Sequence, residues 1–372
     1  MPSKPTLRVG VVAGEYSGDR LGSGVIEALK INYNIQLFGV GGPEMTNQGL
    51  NSEFDFKKLH IMGLIEPLLN IRELTKLRKN LIKKFVHEDI DCFIGIDSPD
   101  FNMGIHKALK NKKISKNIQI VSPSVWGWRQ GRIKSIEKYI DFTACLFNFE
   151  DKFYKERGLN SIHLGHPFSE IMHADITDVK SKFNLKNDMR FISILPGSRE
   201  SEIKKMLPIY IDFIKKHNQE SNNFTYLIPA ADKDLKNLID SYLHESNLPI
   251  VVECNCSREF LSISEYSVVT SGTASLEAAV LGANPIICYK TSALNFSIIS
   301  RMLKVKHIGL PNLLLNNRRY PELLQNECTA ETIYLEAKSL ENDPSKKDDK
   351  NYIRKLLMGE GYLETADRIA LL

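Results

Sequence analysis

Nothing in the 372-residue chain approaches the roughly 18 to 20 consecutive apolar residues that a membrane-spanning helix needs. The N-terminal MPSKPTLRVG also lacks the apolar stretch of a signal peptide before its first glycine, so a protein neither exported nor membrane-spanning is expected. Cysteine is sparse, with six in all, and three of these (Cys92, Cys145, Cys288) fall inside apolar, strand-like runs, as small buried hydrophobes do in a reducing compartment. Only Cys254 and Cys256 are close together, and no second Cys/His pair stands at ligand spacing, so no metal site is expected. Net charge is scarce too: 49 Lys and Arg against 45 Asp and Glu leave +4, too little for a nucleic-acid binder by bulk charge. With 42% hydrophobic and 25% charged residues, and only 22 Gly and 15 Pro, the composition excludes disordered, collagen-like and disulfide-scaffold classes. Internal repeats and low-complexity tracts are absent.

At about 150 residues per domain, the length suggests two domains. Short apolar runs alternate with longer amphipathic stretches. Leu7 to Val12, Ile35 to Val40, Cys92 to Ile96, Ile118 to Val121, Phe142 to Leu146 and Ser161 to Leu164 read as strands buried on both faces. Between the first two, Leu21, Val25, Ile26 and Leu29 form one helical stripe. The rhythm breaks between about Glu170 and Arg190 and restarts at FISILPGSRESEIKKM. It continues through Phe224 to Ile228, Ile250 to Val252, Tyr266 to Thr270 and Pro285 to Cys288. The expected architecture is α/β, with two Rossmann-like open parallel-sheet domains facing a cleft. They span residues 1–170 and 188–345, and a C-terminal helical segment, 350–372, packs back on the first domain or on a partner chain, a homodimer being one outcome.

The first strand runs into GVVAGEYSGDRLGSG, a glycine-punctuated turn opening a helix, where backbone N–H groups meet ligands. G-x-G-x-x-G is missing, no acidic residue follows FGVGGPEM to hold a ribose, and no Walker lysine is present, so neither NAD nor any other cofactor is expected. Gly14 and Gly18 either make a tight turn only or present Glu15 as a ligand-facing carboxylate. In CFIGIDSPDFN, Asp97 and Asp100 follow a buried strand at its carboxyl edge, where such sheets bind ligands. Asp100 suits a helix cap and Asp97 a general base. After the next strand, Trp126, Trp128, Arg129 and Arg132 offer either an indole platform beside guanidinium groups, if the stretch is extended, or core packing. His166, in a Gly-His-Pro turn, suits a hinge or a ligand contact.

The second domain repeats strand, small-residue turn, helix twice. In LPGSR, Ser198 and Arg199 stand where a phosphate would meet helix N–H groups. In VVTSGTASLEAA, Ser271, Gly272 and Thr273 allow close backbone approach to an anion, with Glu277 one turn into the helix, within reach of ribose hydroxyls. Two anion loops together suggest a diphosphate. Near the start of the chain, Leu74, Leu77, Leu81 and Phe85 share a helix face ringed by Arg72, Lys76, Arg78, Lys79, Lys83 and Lys84. This basic amphipathic helix suits either a solvated surface or an anionic membrane surface.

The motifs AGEYSGD, GGPEM, MGLIEPL, IDSPDFN, VSPSVWGWRQGR, GHP, LPGSR, SGTASLEAA and LPNLLL with PELLQ occur in an order, from Gly14 to Gln325, that resembles the lipid-A-disaccharide synthase family of GT-B glycosyltransferases. The resemblance implies inverting transfer of 2,3-diacylglucosamine from its UDP derivative to the 6-hydroxyl of 2,3-diacylglucosamine 1-phosphate, giving a β-1,6-linked disaccharide phosphate and UDP. It makes Asp97 the catalytic base with Glu15 nearby. UDP lies against Ser198, Arg199, Ser271, Gly272, Thr273, Glu277 and Asn312, and no metal is required. Acyl chains then need apolar surface, which the segment from Met62 to Leu69 and the loop with Trp126, Trp128 and Arg129 could supply, with the protein held at the inner face of the cytoplasmic membrane. Tyr16 and Ser98 stand where smaller or apolar residues are more usual, Asn148 replaces a common Pro, and LNNRRY after Leu314 departs from the usual small-residue loop. The pair Asp89 and Asp91 precedes its strand, the wrong side for a metal-holding D-x-D. The alternatives are a transferase with another lipid-linked acceptor, a UDP-sugar epimerase and a non-catalytic UDP-binding regulator.

Overall fold

The computed structural model describes residues 4–59, 67–127, 130–221, 223–244, 246–291, 306–342 and 349–372. The chain divides into two compact units, Met1–His166 with Met358–Leu372, and Pro167–Leu357. Among the described residues no helix is long and apolar enough to cross a membrane.

In the first unit β1 (Thr6–Ala13), β2 (Asn34–Val40), β3 (Cys92–Ile96), β4 (Lys116–Ile120), β5 (Phe142–Cys145) and β6 (Ser161–His163) form a parallel sheet in the order β2-β1-β3-β4-β5-β6. The helices α1 (Tyr16–Leu29), α2 (Pro43–Asn47), α3 (Pro67–His87), α4 (Pro99–Lys112), α5 (Ile133–Tyr139) and α6 (Asn148–Lys155) connect the strands. Strands covered on both faces must be apolar throughout, and β3 is buried at every position. The stripe Leu21, Val25, Ile26 and Leu29 of α1 enters the same core as Val9, Val11 and Ile94, and so do Ala366 and Ile369 of the C-terminal helix Gly361–Ala370. On α3, Leu81 and Phe85 enter a second core with Phe93 and Phe101.

The second unit carries β7 (Arg190–Leu195), β8 (Phe224–Ala230), β9 (Ile250–Cys254), β10 (Tyr266–Thr270), β11 (Pro285–Tyr289) and β12 (Glu322–Leu324), in the order β12-β11-β10-β7-β8-β9. These strands are also parallel. Here α7 (Ile176–Lys182) precedes the sheet, and α8 (Glu200–Glu220), α9 (Lys233–Leu243), α10 (Ser257–Ile263) and α11 (Thr273–Val280) connect its strands.

Three sequence expectations shift. The strand expected to reach Val121 stops at Ile120, because Val121 takes a left-handed φ of 69° that no strand tolerates. The short edge strand β12 gave no apolar run to read. The C-terminal helical segment expected over 350–372 is two helices, Lys350–Leu357 and Gly361–Ala370, and the first stays with the second unit, with Ile353 and Leu357 buried.

Strand order fixes where ligands can sit. In each sheet the chain moves outward from its first strand, then returns to that strand's other side. The two loops at this reversal diverge and leave a crevice at the carboxyl edge. In the first unit the reversal lies between β1 and β3; in the second, between β7 and β10.

Candidate active site

At the first reversal, the β1–α1 turn carries Gly14 and Glu15 and the β3–α4 turn carries Asp97 and Ser98. The turns touch: a Cβ on Gly14 would lie 2.5 Å from Ser98 Oγ. Glu15 is exposed at the N-terminus of α1, and Asp97 is half-buried. Burial, reinforced by the Glu15 charge and partly offset by the Ser98 N–H, raises the Asp97 carboxyl to about 6. Such a group is ionised near neutrality yet holds a proton far better than a free carboxylate, which suits a general base.

The backbone that presents Asp97 is strained. Asp97 and Ser98 both lie in the left-handed region, with φ of 53° and 39°, a conformation that costs non-glycine residues of order 1–3 kcal/mol each. The Asp97 N–H donates to Ile120 O at 3.1 Å. Its carbonyl accepts from Asn102 Nδ2 at 2.9 Å and Gln119 Nε2 at 3.3 Å.

Asp100 does not cap α4: Ser98 occupies the cap position, and the Asp100 carboxylate accepts from Arg132 at 2.5 Å. Trp126 sits in a turn rather than an extended strand. Its indole N–H donates to Glu150 Oε1 at 2.8 Å and its ring meets Phe149 edge-on at 4.8 Å, so the polar edge expected to face a ligand is engaged by protein. Phe147 continues the row, stacked on Phe149 at 5.3 Å and on His166 at 5.5 Å. Burial pushes the His166 imidazole down to about 4. Met62, Trp128 and Arg129 lie outside the described residues.

At the second reversal lies a cavity of about 500 Å³ lined by Gly197, Ser198, Arg199, Ser271, Gly272, Thr273 and Glu277. Gly197 has φ 126°, and a Cβ there would stand 2.6 Å from Glu202, so this turn requires glycine. Arg199, two-thirds exposed, donates to Glu202 Oε1 at 3.0 Å, and the Ser198 N–H donates to Glu202 Oε2 at 3.1 Å. Glu202 therefore holds the groups a phosphate would use. Across the cavity the Ser271 N–H donates to Cys288 O at 2.8 Å, tying the second anion loop to β11. Burial raises the Glu277 carboxyl, against a 2.8 Å hydrogen bond from Ser257 Oγ to its Oε2.

The sequence reading missed Pro229 to Ala231 and Asn255 to Ser257, which line the cavity from the ends of β8 and β9. Their signal was positional only, since both follow strands next in order from the reversal. Asn312, also expected at the donor, is not among the residues lining this cavity, and its amide is hydrogen-bonded inside the protein. Nδ2 donates to Tyr320 O and Glu322 Oε1, both at 2.8 Å, while Oδ1 accepts from the Arg319 and Tyr320 N–H groups, both at 2.9 Å. Among the described residues no group of three or more His, Cys, Asp or Glu could hold a metal ion.

The structure of UDP-GlcNAc 2-epimerase from Neisseria meningitidis bound to UDP-GlcNAc matches with a TM-score of 0.61 at 14% identity, over 98% of each chain. That likeness shows the shared two-unit GT-B-type fold. In sequence, the lipid-A-disaccharide synthase of Hahella chejuensis is 35% identical over 99% of this chain and 95% of its own. That of Alcanivorax borkumensis is 37% identical over 87% and 86%. The family model described as lipid-A-disaccharide synthetase matches residues 9–368, and on these grounds the chain belongs to the lipid-A-disaccharide synthetase family, a family of glycosyltransferases.

Proposed function

We propose that the protein transfers 2,3-diacylglucosamine from UDP-2,3-diacylglucosamine to the 6-hydroxyl of 2,3-diacylglucosamine 1-phosphate with inversion, forming the β-1,6-linked disaccharide phosphate and UDP. The observation that carries the reading is the Asp97 carboxyl, raised to about 6 at the strand reversal of the first unit. As the acceptor oxygen attacks the donor's anomeric carbon, Asp97 takes the hydroxyl proton and the bond from that carbon to UDP breaks. Glu15, whose charge helps raise Asp97, stands beside the acceptor. Charge developing on UDP is met by the Arg199 guanidinium and by N–H groups at the starts of α8 and α11. Glu277 accepts from the ribose hydroxyls through the oxygen that Ser257 leaves free.

The acceptor and donor carry acyl chains, and α3 supplies the surface charge to meet the membrane that holds them. Arg72, Lys76, Lys79 and Lys83 are exposed on it, while Leu81 and Phe85 are spent in the core. From Arg72 onward, attachment through this helix is therefore electrostatic. Sedimentation with anionic vesicles at low salt, lost at high salt and in a Lys76→Glu, Lys79→Glu, Lys83→Glu variant, is the expected result.

Incubating the purified protein with both proposed substrates tests the reaction. A disaccharide phosphate with a β-linkage and stoichiometric UDP is expected. An epimerised UDP-sugar with no disaccharide would replace this reading with that of an epimerase.

A further inference from the structure

Behind the Asp97 turn lies a buried polar assembly. Gln119, on β4, is 1% exposed and Asn102, on α4, is 0% exposed. The two hydrogens of Gln119 Nε2 are shared among three carbonyls within reach, those of Asp97 at 3.3 Å, Ile120 at 3.0 Å and Val121 at 3.3 Å. Asn102 Nδ2 donates to the carbonyls of Asp97 at 2.9 Å and Ile96 at 3.3 Å. Asp97, Ser98 and Val121 are the left-handed residues at these two strand ends, with φ of 53°, 39° and 69°. For β-branched Val121 that value is a genuine outlier.

Gln119 is itself held. Its Oε1 lies 3.0 Å from His106 Nε2, a ring that is 0% exposed and that burial keeps neutral by pushing it down to about 4. Nε2 is therefore the protonated, donating nitrogen. The room for this pair comes from Gly95 in the middle of β3, whose Cβ would fall 2.9 Å from His106 Nε2 and 3.0 Å from Gln119 Oε1. Asn102 Oδ1 and His106 Nδ1 have no partner among the described residues. A buried cluster that leaves acceptors unmet and requires a glycine in the central strand is a poor way to stabilise a sheet. Its donors converge on the strained turn that presents the carboxyl.

We propose that Gln119, backed by His106 and assisted by Asn102, is a positioning residue: its amide clamps the Asp97 and Val121 carbonyls so that the left-handed turn holds the Asp97 carboxylate toward the acceptor hydroxyl. The inference rests on the reading of Asp97 as the base. Without the clamp the turn relaxes toward ordinary backbone angles, and the carboxyl moves out of reach and into water. Glu15, from the β1–α1 turn, is the charge that faces Asp97. Asp100, on α4, is turned to Arg132, and His106 stands neutral behind the amide, so the acid limb of the rate profile reports Asp97 against Glu15.

The test compares Gln119→Met and Asn102→Ala with Asp97→Asn and with Leu109→Ala, a core change on α4 that removes none of these hydrogen bonds. Measured quantities are kcat, KM for both substrates, the pH at which kcat falls on the acid side, and the folded fraction. Gln119→Met is expected to lower kcat per folded molecule about tenfold or more with donor KM within about twofold. It should also move the acid limb downward by at least about half a unit, as Asp97 returns to solvent. Asn102→Ala should do the same more weakly, and Leu109→Ala should lose stability with the limb unmoved. An unchanged limb and kcat in folded Gln119→Met and Asn102→Ala overturns the inference, and so does an equal shift in Leu109→Ala or failure of both variants to fold. Full turnover in Asp97→Asn would instead overturn the assignment of the base.

Discussion

Asp97 and Asp100 are the same side chain three residues apart in one motif, and they lie in opposite environments. Asp100 is 68% exposed by side chain and neutralised by Arg132, so its carboxylate is an ordinary surface ion. Asp97 is raised to about 6 by burial and by Glu15. Asp97→Asn is expected to reduce kcat by about 10²- to 10⁴-fold, the usual range for a general base, while Asp100→Asn stays within about twofold. The sign of the pH dependence follows, because a base works only when ionised: kcat of the wild type should fall as pH drops through about 6. A steady-state pH profile that stays level from 7.5 to 5 rejects the assignment. On the donor side, if Glu277 accepts from the ribose as proposed, Glu277→Gln is expected to weaken donor binding by about 1.5 kcal/mol, or roughly tenfold in donor KM. Asn312→Ala should act on folding instead, since it strips a fully satisfied amide from the Arg319–Glu322 segment.

At the level of elements, the apolar runs read as strands are strands to within about two residues, because a parallel sheet covered on both faces leaves a continuous hydrophobic signature. Loops after such strands were therefore placed correctly at the carboxyl edge, and Ser198, Arg199, Ser271 to Thr273 and Glu277 line one cavity. Side-chain commitments that cross between elements left no local signal. Asp19 is one: within the AGEYSGD motif it reads as a polar residue in the first turn of α1, yet it is 0% exposed. Its carboxylate accepts from the N–H groups of Gly42, Glu44 and Met45 at 2.8, 2.8 and 3.1 Å, fastening the start of α2 to α1. The hydrogen-bond partners of Trp126 and Asn312 left no local signal for the same reason, lying 24 and 10 residues away. Replacing Asp19 with Ala strands three backbone donors, two of them buried, and is expected to cost about 3 kcal/mol in denaturant unfolding. A loss below about 1 kcal/mol would mean that water replaces the carboxylate. Gly197→Ala should unfold less of the chain, because its strain and its clash with Glu202 are confined to the β7–α8 turn. Its signature is loss of UDP binding by calorimetry at nearly unchanged melting temperature.

Over the whole molecule, buried groups of opposite kind set how stability follows pH. His106 and His166 are held down to about 4 from an ordinary 6.5, so the folded chain keeps them neutral while the unfolded chain protonates them, and stability is lost as pH falls from about 6.5 toward 4. Glu150 runs the other way. Burial, partly offset by the Trp126 and Phe147 N–H bonds, raises it from 4.5 to about 7, so the folded chain holds its proton where the unfolded chain has released it. Its contribution is complete below about pH 4.5 and lost as pH rises through about 7. Between about pH 6 and 4.5 the two histidines therefore lose what Glu150 and Asp97 gain, at about 1.4 kcal/mol per group and pH unit. Glu150→Gln removes one compensating carboxyl while keeping its shape and one acceptor for Trp126 or Phe147. Relative to wild type, the variant should become progressively less stable as pH is lowered from 7 to 5, since every other titration is common to both proteins and cancels in the difference. Melting temperatures of the two proteins measured side by side across that interval decide the matter: a constant offset would show that Glu150 is ionised in the folded state and that the Trp126 contact, not a retained proton, is what its burial serves.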